Sequence, residues 1–599
     1  MRTRTKIVCT IGPAVSSYEK MLELIDAGMN VARLNFSHGT HEDHKKSIEN
    51  LKRARKERNI PLAIMLDTKG PEIRVGVLKE PIPVAEGQKV LLVPEKAEDP
   101  THLPITPGIA LDPLKKGDRV LFDDGYIASE VVERTPEGVV ITILNSGAIK
   151  SQKGVNMPHV DVPLPALTEQ DIEDIKFGCE QDVDVIAASF IRSAEHMREI
   201  KTLLYELGKR EIMIIAKIEN SLGVKNFDSI LQVADGIMVA RGDLGVELPI
   251  EDVPALQKMM IRKSVQSSKL VVTATQMLES MITNPLPTRA EASDVANAIY
   301  DSTSAVMLSG ETAIGKYPVE TVNMMRRIVE AAEADFSYRD FFYRNSQVSS
   351  YDISTSISLA SVKTAYSSGA KGIFAFTSSG TTPRLISRFR PEMPILALTR
   401  YEKTYHQLAF NWGVIPVPPA ITHNVHESLA LMSSFAQDRG LVQFGDLVVI
   451  TSGSHFGVSG TTNMMIVESI GEVLVRGQAS EGNEVSGEVF IVLTPDRFNA
   501  RRAEGKIVVI SQCDESYLPL LEKAKAILLQ NSPEDLSSEE VALIFAKARG
   551  IPIIVRADMA MRRLKDRQEV TLHPEKGTVY RKFPGNSGEE IPAISDPRD

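Results

Sequence analysis

MIIAKIENSLGVKNFDSILQVADGIMVARGD, residues 213–243, places two short apolar runs, Met213–Ala216 and Gly236–Ala240, on either side of a helix-length mixture of polar and apolar residues. Strand, helix and strand in that order is the repeating unit of a parallel sheet, because a parallel return needs a long crossover. Each run also ends in reactive side chains, the first in Lys217 and Glu219, the second in Arg241 and Asp243.

The same unit recurs in both directions. Upstream, strands are predicted at Lys6–Thr10, Val31–Phe36 and Leu62–Leu66, with helices at Tyr18–Ala27 and Glu42–Glu57. Downstream and around the opening stretch, strands are predicted at Val183–Ala188, Met213–Ala216, Gly236–Ala240, Leu270–Thr273 and Ala305–Leu308. Three early and five later strands make eight, the number that closes a (β/α)8 TIM barrel. Ser16 with Glu19, Thr168 with Asp171 and Thr288 with Glu291 have the spacing of helix-starting capping boxes.

From Gly70 to about Pro165 the pattern changes to Val-rich runs separated by Lys116-Gly117-Asp118, Asp124-Gly125 and Pro136-Glu137-Gly138. These are turn signals at antiparallel spacing and predict an all-β domain inserted after the third strand. After residue 340 a second α/β unit is expected, with a helix near Ile357–Tyr366 and strands at Gly372–Phe376, Ile395–Leu398 and Leu447–Ile450. Gly477-Gln-Ala-Ser-Glu-Gly-Asn-Glu484 reads as a linker, and the tail at Phe583-Pro-Gly-Asn-Ser-Gly588 as flexible. The expected domains are therefore 1–70 with 167–340, 71–166, 341–472 and 473–599.

With 599 residues, 43% of them hydrophobic and 24% charged, the chain can bury several large cores, which excludes a disordered or low-complexity protein. Sixty-eight basic against 78 acidic residues give a net charge of -10, which argues against nucleic acid as the main partner. The three cysteines, Cys9, Cys179 and Cys513, are far apart and lack CxxC spacing, so neither a disulfide scaffold nor a cysteine zinc site is expected. No run approaches the ~18 apolar residues of a membrane span. The N-terminus leads directly into a strand without an apolar leader core, and a cytoplasmic location is expected.

Active sites of such barrels lie at the C-terminal ends of the strands. Here those ends carry Arg33, Asn35 and Ser37; Asp67, Thr68 and Lys69; Ser189; Lys217 and Glu219; Arg241 and Asp243; Thr275; and Ser309 and Glu311. Taken singly, each reads better as a helix cap or turn residue, and collectively a salt-bridge network capping the barrel is the structural alternative. Glu219 and Asp243 on adjacent strand ends could share a hard divalent cation such as Mg²⁺. Lys217 and Arg33 add fixed positive charge, a mixture suited to a phosphate-bearing anion, because phosphoryl transfer is catalysed mainly by positioning and charge neutralisation.

Six blocks carry a family resemblance: Arg33-Leu-Asn-Phe-Ser-His-Gly39, Leu66-Asp-Thr-Lys-Gly-Pro-Glu-Ile-Arg74, Ala216-Lys-Ile-Glu-Asn220, Val239-Ala-Arg-Gly-Asp-Leu-Gly245, Ala274-Thr-Gln-Met-Leu-Glu-Ser280 and Pro287-Thr-Arg-Ala-Glu291. Together they resemble the signature blocks of the pyruvate kinase family, in the family's order, over residues 1 to about 472. The resemblance implies transfer of the phosphoryl group of phosphoenolpyruvate to ADP, giving pyruvate and ATP. It implies that Glu219 and Asp243 hold Mg²⁺ or Mn²⁺, that Lys217 stabilises the transferring group, and that Arg33 binds phosphate. Gly242 and Asp243 would receive the substrate carboxylate, and Thr275 would relay the proton that completes pyruvate.

Asn35, Ser37, Asp67 and Thr68 would ligate K⁺, with Glu72 as the residue type that accompanies a K⁺ requirement. Arg74 and Lys153, with Asn35, match nucleotide-binding positions, which makes the inserted β domain a lid. Thr377, Ser378, Ser379, Gly380, Thr381 and Thr382 match the loop that holds the phosphate of a phosphorylated effector, with Arg384 and Arg388 nearby and Ser452–Gly460 as a covering loop. A homotetramer is implied as well.

The last 127 residues, 473–599, are similar to the mobile phosphohistidine domain of phosphoenolpyruvate-utilising enzymes. No histidine occurs between His455 and His573, so a structural or inter-subunit role is expected there rather than phosphate carriage. Trp412 is expected to be core packing. A metal-dependent lyase acting on a pyruvate enolate is the second reading of the barrel, but such an enzyme needs no nucleotide lid. A non-catalytic relative would lack one of Lys217, Glu219, Asp243 or Thr275, and all four are present.

Overall fold

The structure, a computed structural model, describes residues 3–96, 99, 102–347, 352–422, 424–453, 462–471 and 473–581. The expected covering loop falls largely, and the flexible tail wholly, outside the described residues.

Eight strands, Lys6–Ile11, Val31–Asn35, Ala63–Asp67, Val185–Ala188, Met213–Ile218, Gly236–Ala240, Leu270–Ala274 and Ala305–Leu308, form a closed barrel. Neighbours pair in parallel, and the eighth returns to the first with Lys6 opposite Ala305. The strands read as continuous apolar runs because both of their faces are covered. Val8, Val31, Met65, Ile215, Met238, Val272 and Met307 point into the barrel, where Phe410 joins them, while Ile7, Leu34, Ile64, Ile214 and Val271 pack beneath the surrounding helices.

Helix starts follow the sequence with one correction. Thr168 and Asp171, like Thr288 and Glu291, form reciprocal capping boxes. The Ser16–Glu19 box does not form: Ser16 continues a short 3-10 turn, and Ser17 caps the helix Tyr18–Ala27 by accepting from Lys20 N at 3.2 Å.

The insertion after the third strand is a β domain around Leu92, Leu103, Phe122, Val139 and Ile141. Its seven-stranded sheet is antiparallel except where Lys89–Pro94 runs parallel to Leu103–Thr106. Strands Arg119–Phe122 and Ile127–Thr135 form a hairpin whose turn places Asp123 and Asp124 at positive φ of 53° and 56°.

The next α/β sheet begins with parallel strands Gly372–Phe376, Ile395–Leu398 and Val414–Val417. The last of these lies at the sheet edge, where Pro416 is tolerated because no neighbour needs its missing N–H. Trp412 is 4% exposed, as core packing requires.

The chain packs as two units, the second of which joins Ser367–Gly372 and Leu429–Val449 to the stretch from Ile466 onward. This second unit contains a seven-stranded sheet whose edge strand Val473–Arg476 pairs antiparallel with Thr578–Arg581. Gly477–Glu484 is therefore not an interdomain linker but a connection between two strands of one sheet, and Gln478 N donates to Val555 O within it.

Candidate active site

The barrel strands are mostly apolar along their length and end in polar groups, so Arg33, Asp67 and Lys217 collect at one mouth. At its centre is Asp67, fully buried at the end of the third strand. One carboxylate oxygen accepts from Arg33 Nε at 2.5 Å, and the other lies 3.1 Å from Lys217 Nζ. Burial alone would raise the Asp67 pKa, but Arg33 and Lys217 reverse that effect and hold it below the usual carboxylate range.

Lys217, the last residue but one of the fifth strand, has three partners: Asp67, Glu219 Oε1 at 2.9 Å and Ser189 Oγ at 2.8 Å. Burial favours a neutral amine, but Asp67 and Glu219 overcome it and push the pKa up, so the ammonium stays charged. Arg33 Nη1 donates to Thr10 Oγ1 at 3.0 Å, which fixes the plane of the guanidinium.

Glu219 Oε2 accepts from Phe190 N at 2.5 Å. Asp243, in the first turn of the helix Arg241–Glu247, is pushed up to about 7 by burial and then by the neighbouring Glu219 charge. Lys217 offsets part of this repulsion, yet burial and the Glu219 charge still leave the Asp243 pKa raised, so the two carboxylates favour an added cation. Among the described residues no group of three His, Cys, Asp or Glu converges as a metal cluster. A pair suits Mg²⁺, which takes one or two protein carboxylates and completes its shell with water and substrate oxygens.

Thr275, at the end of the seventh strand, has φ of 67° and its neighbour Gln276 has φ of 54°. The Thr275 hydroxyl accepts from Gly242 N at 2.8 Å and donates to Ala274 O at 2.6 Å. Gly242, with Asp243 next to it in the chain, thus lies against Thr275.

The proposed K⁺ ligands share one corner. Asn35 stands opposite Asp67 in the strand register, Asn35 Oδ1 accepts from Ser37 N at 3.2 Å, and Thr68 Oγ1 accepts from Ser189 N at 3.1 Å. The Asp67 carboxylate itself is already shared by Arg33 and Lys217.

Arg74 and Lys153 lie on the lid, each held by a lid carboxylate. Arg74 pairs with Glu72 at 2.5 Å, and Lys153 pairs with Asp123 at 2.8 Å. Among the described residues no hydrogen bond or ion pair joins these two cations to the barrel mouth. The lid does touch the barrel elsewhere: Asn156 Nδ2 donates to Glu247 Oε1 at 3.1 Å, and Asp124 is near enough to Asp243 for its charge to raise the Asp243 pKa.

The loop Thr377–Thr382 is a preformed turn. Gly380 has φ of 79° and its N–H donates to Thr377 Oγ1 at 2.9 Å, Ser379 Oγ lies 2.9 Å from Thr381 Oγ1, and Thr382 Oγ1 lies 2.7 Å from Thr462 Oγ1. Ser378 O accepts from Thr404 Oγ1 at 2.9 Å. Arg384 reaches back to Ser379 O, and Arg388 lies against Ser268.

Sequence reasoning did not identify Asp294, which binds both oxygens to Arg241, nor the role of Glu311, which accepts from Leu278 N and Ser309 N and so ties the seventh and eighth strand ends together. Asp294 lies inside the helix Arg289–Tyr300, where nothing in the pattern distinguishes it from a surface acid.

The family model for the pyruvate kinase barrel domain matches residues 2–322, that for the pyruvate kinase alpha/beta domain matches 355–468, and that for the mobile domain of PEP-utilising enzymes matches 502–577. A pyruvate kinase of Geobacillus stearothermophilus is 44% identical over 585 residues, which is 97% of this chain and 99% of the relative. Pyruvate kinases of Bacillus licheniformis and Staphylococcus aureus (strain USA300) are each 42% identical, covering 96% of this chain and 99% and 98% of the relatives. With a closed parallel barrel, an inserted β domain and full-length relatives of this identity, the chain belongs to the pyruvate kinase family.

Proposed function

We propose that the barrel mouth transfers the phosphoryl group of phosphoenolpyruvate to ADP, giving pyruvate and ATP. The observation that supports this most is the shared position of Lys217, buried and charged between Asp67 and Glu219, beside the carboxylate pair Glu219 and Asp243. When bound by that pair, Mg²⁺ or Mn²⁺ supplies charge neutralisation for phosphoryl oxygens.

Phosphoryl transfer spreads negative charge over the equatorial oxygens of the moving group, and preorganised cations stabilise that charge without reorganising. Lys217 is such a cation, since three buried partners fix its position. Arg33 is another: with Nε on Asp67 and Nη1 on Thr10, its remaining amino group is presented to phosphate. Gly242 and Asp243 lie at a helix start, where backbone N–H groups favour an anion such as the substrate carboxylate.

Gly242 N donates to the Thr275 hydroxyl, so a carboxylate taking that N–H would free a lone pair of the hydroxyl for a proton from water while its own proton turns from Ala274 O to the enolate. Thr275 is a weak acid and serves as a relay from water. Arg74 and Lys153 would exchange their lid carboxylates for nucleotide phosphates as the lid closes.

K⁺ held by Asn35, Ser37, Asp67 and Thr68 completes the cofactor assignment. Regulation by a phosphorylated effector at Thr377–Thr382, assembly as a homotetramer and a cytoplasmic location belong to the same reading; among the described residues no helix is long and apolar enough to cross a membrane. The C-terminal module is assigned a structural role: Lys576 donates to Phe444 O at 2.6 Å and lies 3.5 Å from Asp446. The test is whether the purified protein releases pyruvate from phosphoenolpyruvate and ADP with Mg²⁺ and K⁺; no release rejects the reading.

A further inference from the structure

Thr275 and Gln276 are consecutive non-glycine residues in the left-handed region, at φ of 67° and 54°. A β-branched threonine adopts that conformation only where its surroundings enforce it. The enforcing group is Arg241. Its Nε donates to Ala274 O at 3.2 Å and its Nη2 to Thr275 O at 2.7 Å and Gln276 O at 3.4 Å, so one guanidinium takes three successive carbonyls. Its Nη1 is braced by both oxygens of Asp294, at 2.8 and 2.6 Å. On the N–H side of the same loop, buried Glu311 accepts from Leu278 N at 3.1 Å. The residue after Arg241 then completes the arrangement, because Gly242 N donates to the Thr275 hydroxyl.

We propose that Arg241, oriented by Asp294, is a positioning residue for proton delivery: it splints the Thr275 backbone so that the hydroxyl faces the substrate. This rests on the role given to Thr275 above. In the step concerned, the C2–C3 π pair of the enolate left by phosphoryl transfer forms the new C3–H bond, an oxygen lone pair makes C2–O the ketone carbonyl, and the proton leaves the Thr275 hydroxyl, which takes another from water. A lysine at position 241 could not reproduce the planar fork that spans three carbonyls and a carboxylate.

The test compares Arg241→Met, Arg241→Lys and Asp294→Asn with the unchanged protein, all with Mg²⁺ and K⁺. Two rates are measured: ATP formation from phosphoenolpyruvate and ADP, and exchange of pyruvate methyl protons for deuterium in the presence of ATP, read by NMR. Phosphoenolpyruvate affinity is measured alongside. In Arg241→Met, exchange should fall at least about tenfold more than ATP formation, since misplacing a reacting group by a fraction of an ångström is enough to lose such a factor. Arg241→Lys should give an intermediate ratio and Asp294→Asn a smaller shift in the same direction, with affinity nearly constant.

Parallel loss of both rates, or an unchanged ratio, overturns the inference. If Arg241→Met does not fold, the ratios of Arg241→Lys and Asp294→Asn decide. If the unchanged protein makes no pyruvate, the underlying assignment of function fails instead.

Discussion

Lys217 Nζ lies 3.1 Å from Asp67 Oδ1 while Arg33 grips the other oxygen of the same carboxylate, so one buried anion holds both cations of the barrel mouth. Asp67→Asn would leave buried Arg33 facing a neutral amide, while Lys217 would keep Glu219 at 2.9 Å but lose its second carboxylate. Removing one partner of a buried pair leaves the other uncompensated and destabilises by about 3 kcal/mol. The unfolding midpoint in urea should drop accordingly, and the rate of pyruvate formation should drop with it. An unchanged midpoint would show that Asp67 does not hold the cations in place.

His406 provides a pH signature. It is 4% exposed, Leu62 N donates to its Nδ1 at 3.3 Å, and burial, followed by the nearby Arg55, Lys403 and Lys52 charges, pushes its pKa down to about 3. The unfolded chain takes up a proton below pH 6.5 that the folded chain refuses until about pH 3. The stabilising contribution is therefore complete above pH 6.5 and shrinks as pH falls towards 3. Going from about pH 7 to 5, His406→Gln should lose roughly 2 kcal/mol less stability than the unchanged protein. Equal losses on denaturant titration at the two pH values would refute this.

The lid–barrel bond from Asn156 to Glu247 should matter for nucleotide more than for phosphoenolpyruvate. Glu247 is half-buried and its pKa is raised by desolvation, so Asn156→Ala leaves a partly desolvated carboxylate without that donor. The KM for ADP should rise roughly fivefold, the equivalent of about 1 kcal/mol. A rise confined to phosphoenolpyruvate would place the contact outside lid closure.

Turnover should require K⁺, and Glu72→Lys should weaken that requirement, as the family resemblance at this position implies. The same change removes the partner of Arg74, so KM for ADP is the control for a lid effect. Equal rates in K⁺-free and K⁺-containing buffer would dismiss the monovalent site.

The barrel was legible because a strand covered on both faces must be apolar throughout and becomes polar only where it emerges, which is why Arg33, Asp67, Lys217, Glu219 and Asp243 stand out in the sequence. Val414–Val417 was not legible, since four residues containing Pro416 carry no period. Gly477–Glu484 was misread because its preceding strand pairs with Tyr580 and its neighbours, a partner about one hundred residues away that no local window contains. Within the site, the carboxylates that occupy Arg74 and Lys153 were invisible: Glu72 lies two residues from Arg74 and Asp123 lies on a separate hairpin, and neither spacing signals an ion pair. Asp294 was hidden in the same way, as an ordinary helical acid whose partner Arg241 lies on a different strand end.

The most direct measurement is a side-by-side assay of the unchanged protein and Lys217→Met for pyruvate and ATP, with saturating Mg²⁺ and K⁺ and with Mg²⁺ affinity determined separately. The unchanged protein should release pyruvate and ATP in equal amounts. Lys217→Met should lose roughly a thousandfold in rate, as removal of a preorganised charge from the transition state implies, while its Mg²⁺ affinity changes little. No ATP from the unchanged protein, or a Lys217→Met rate close to it, would contradict the assignment of phosphoryl transfer to this site.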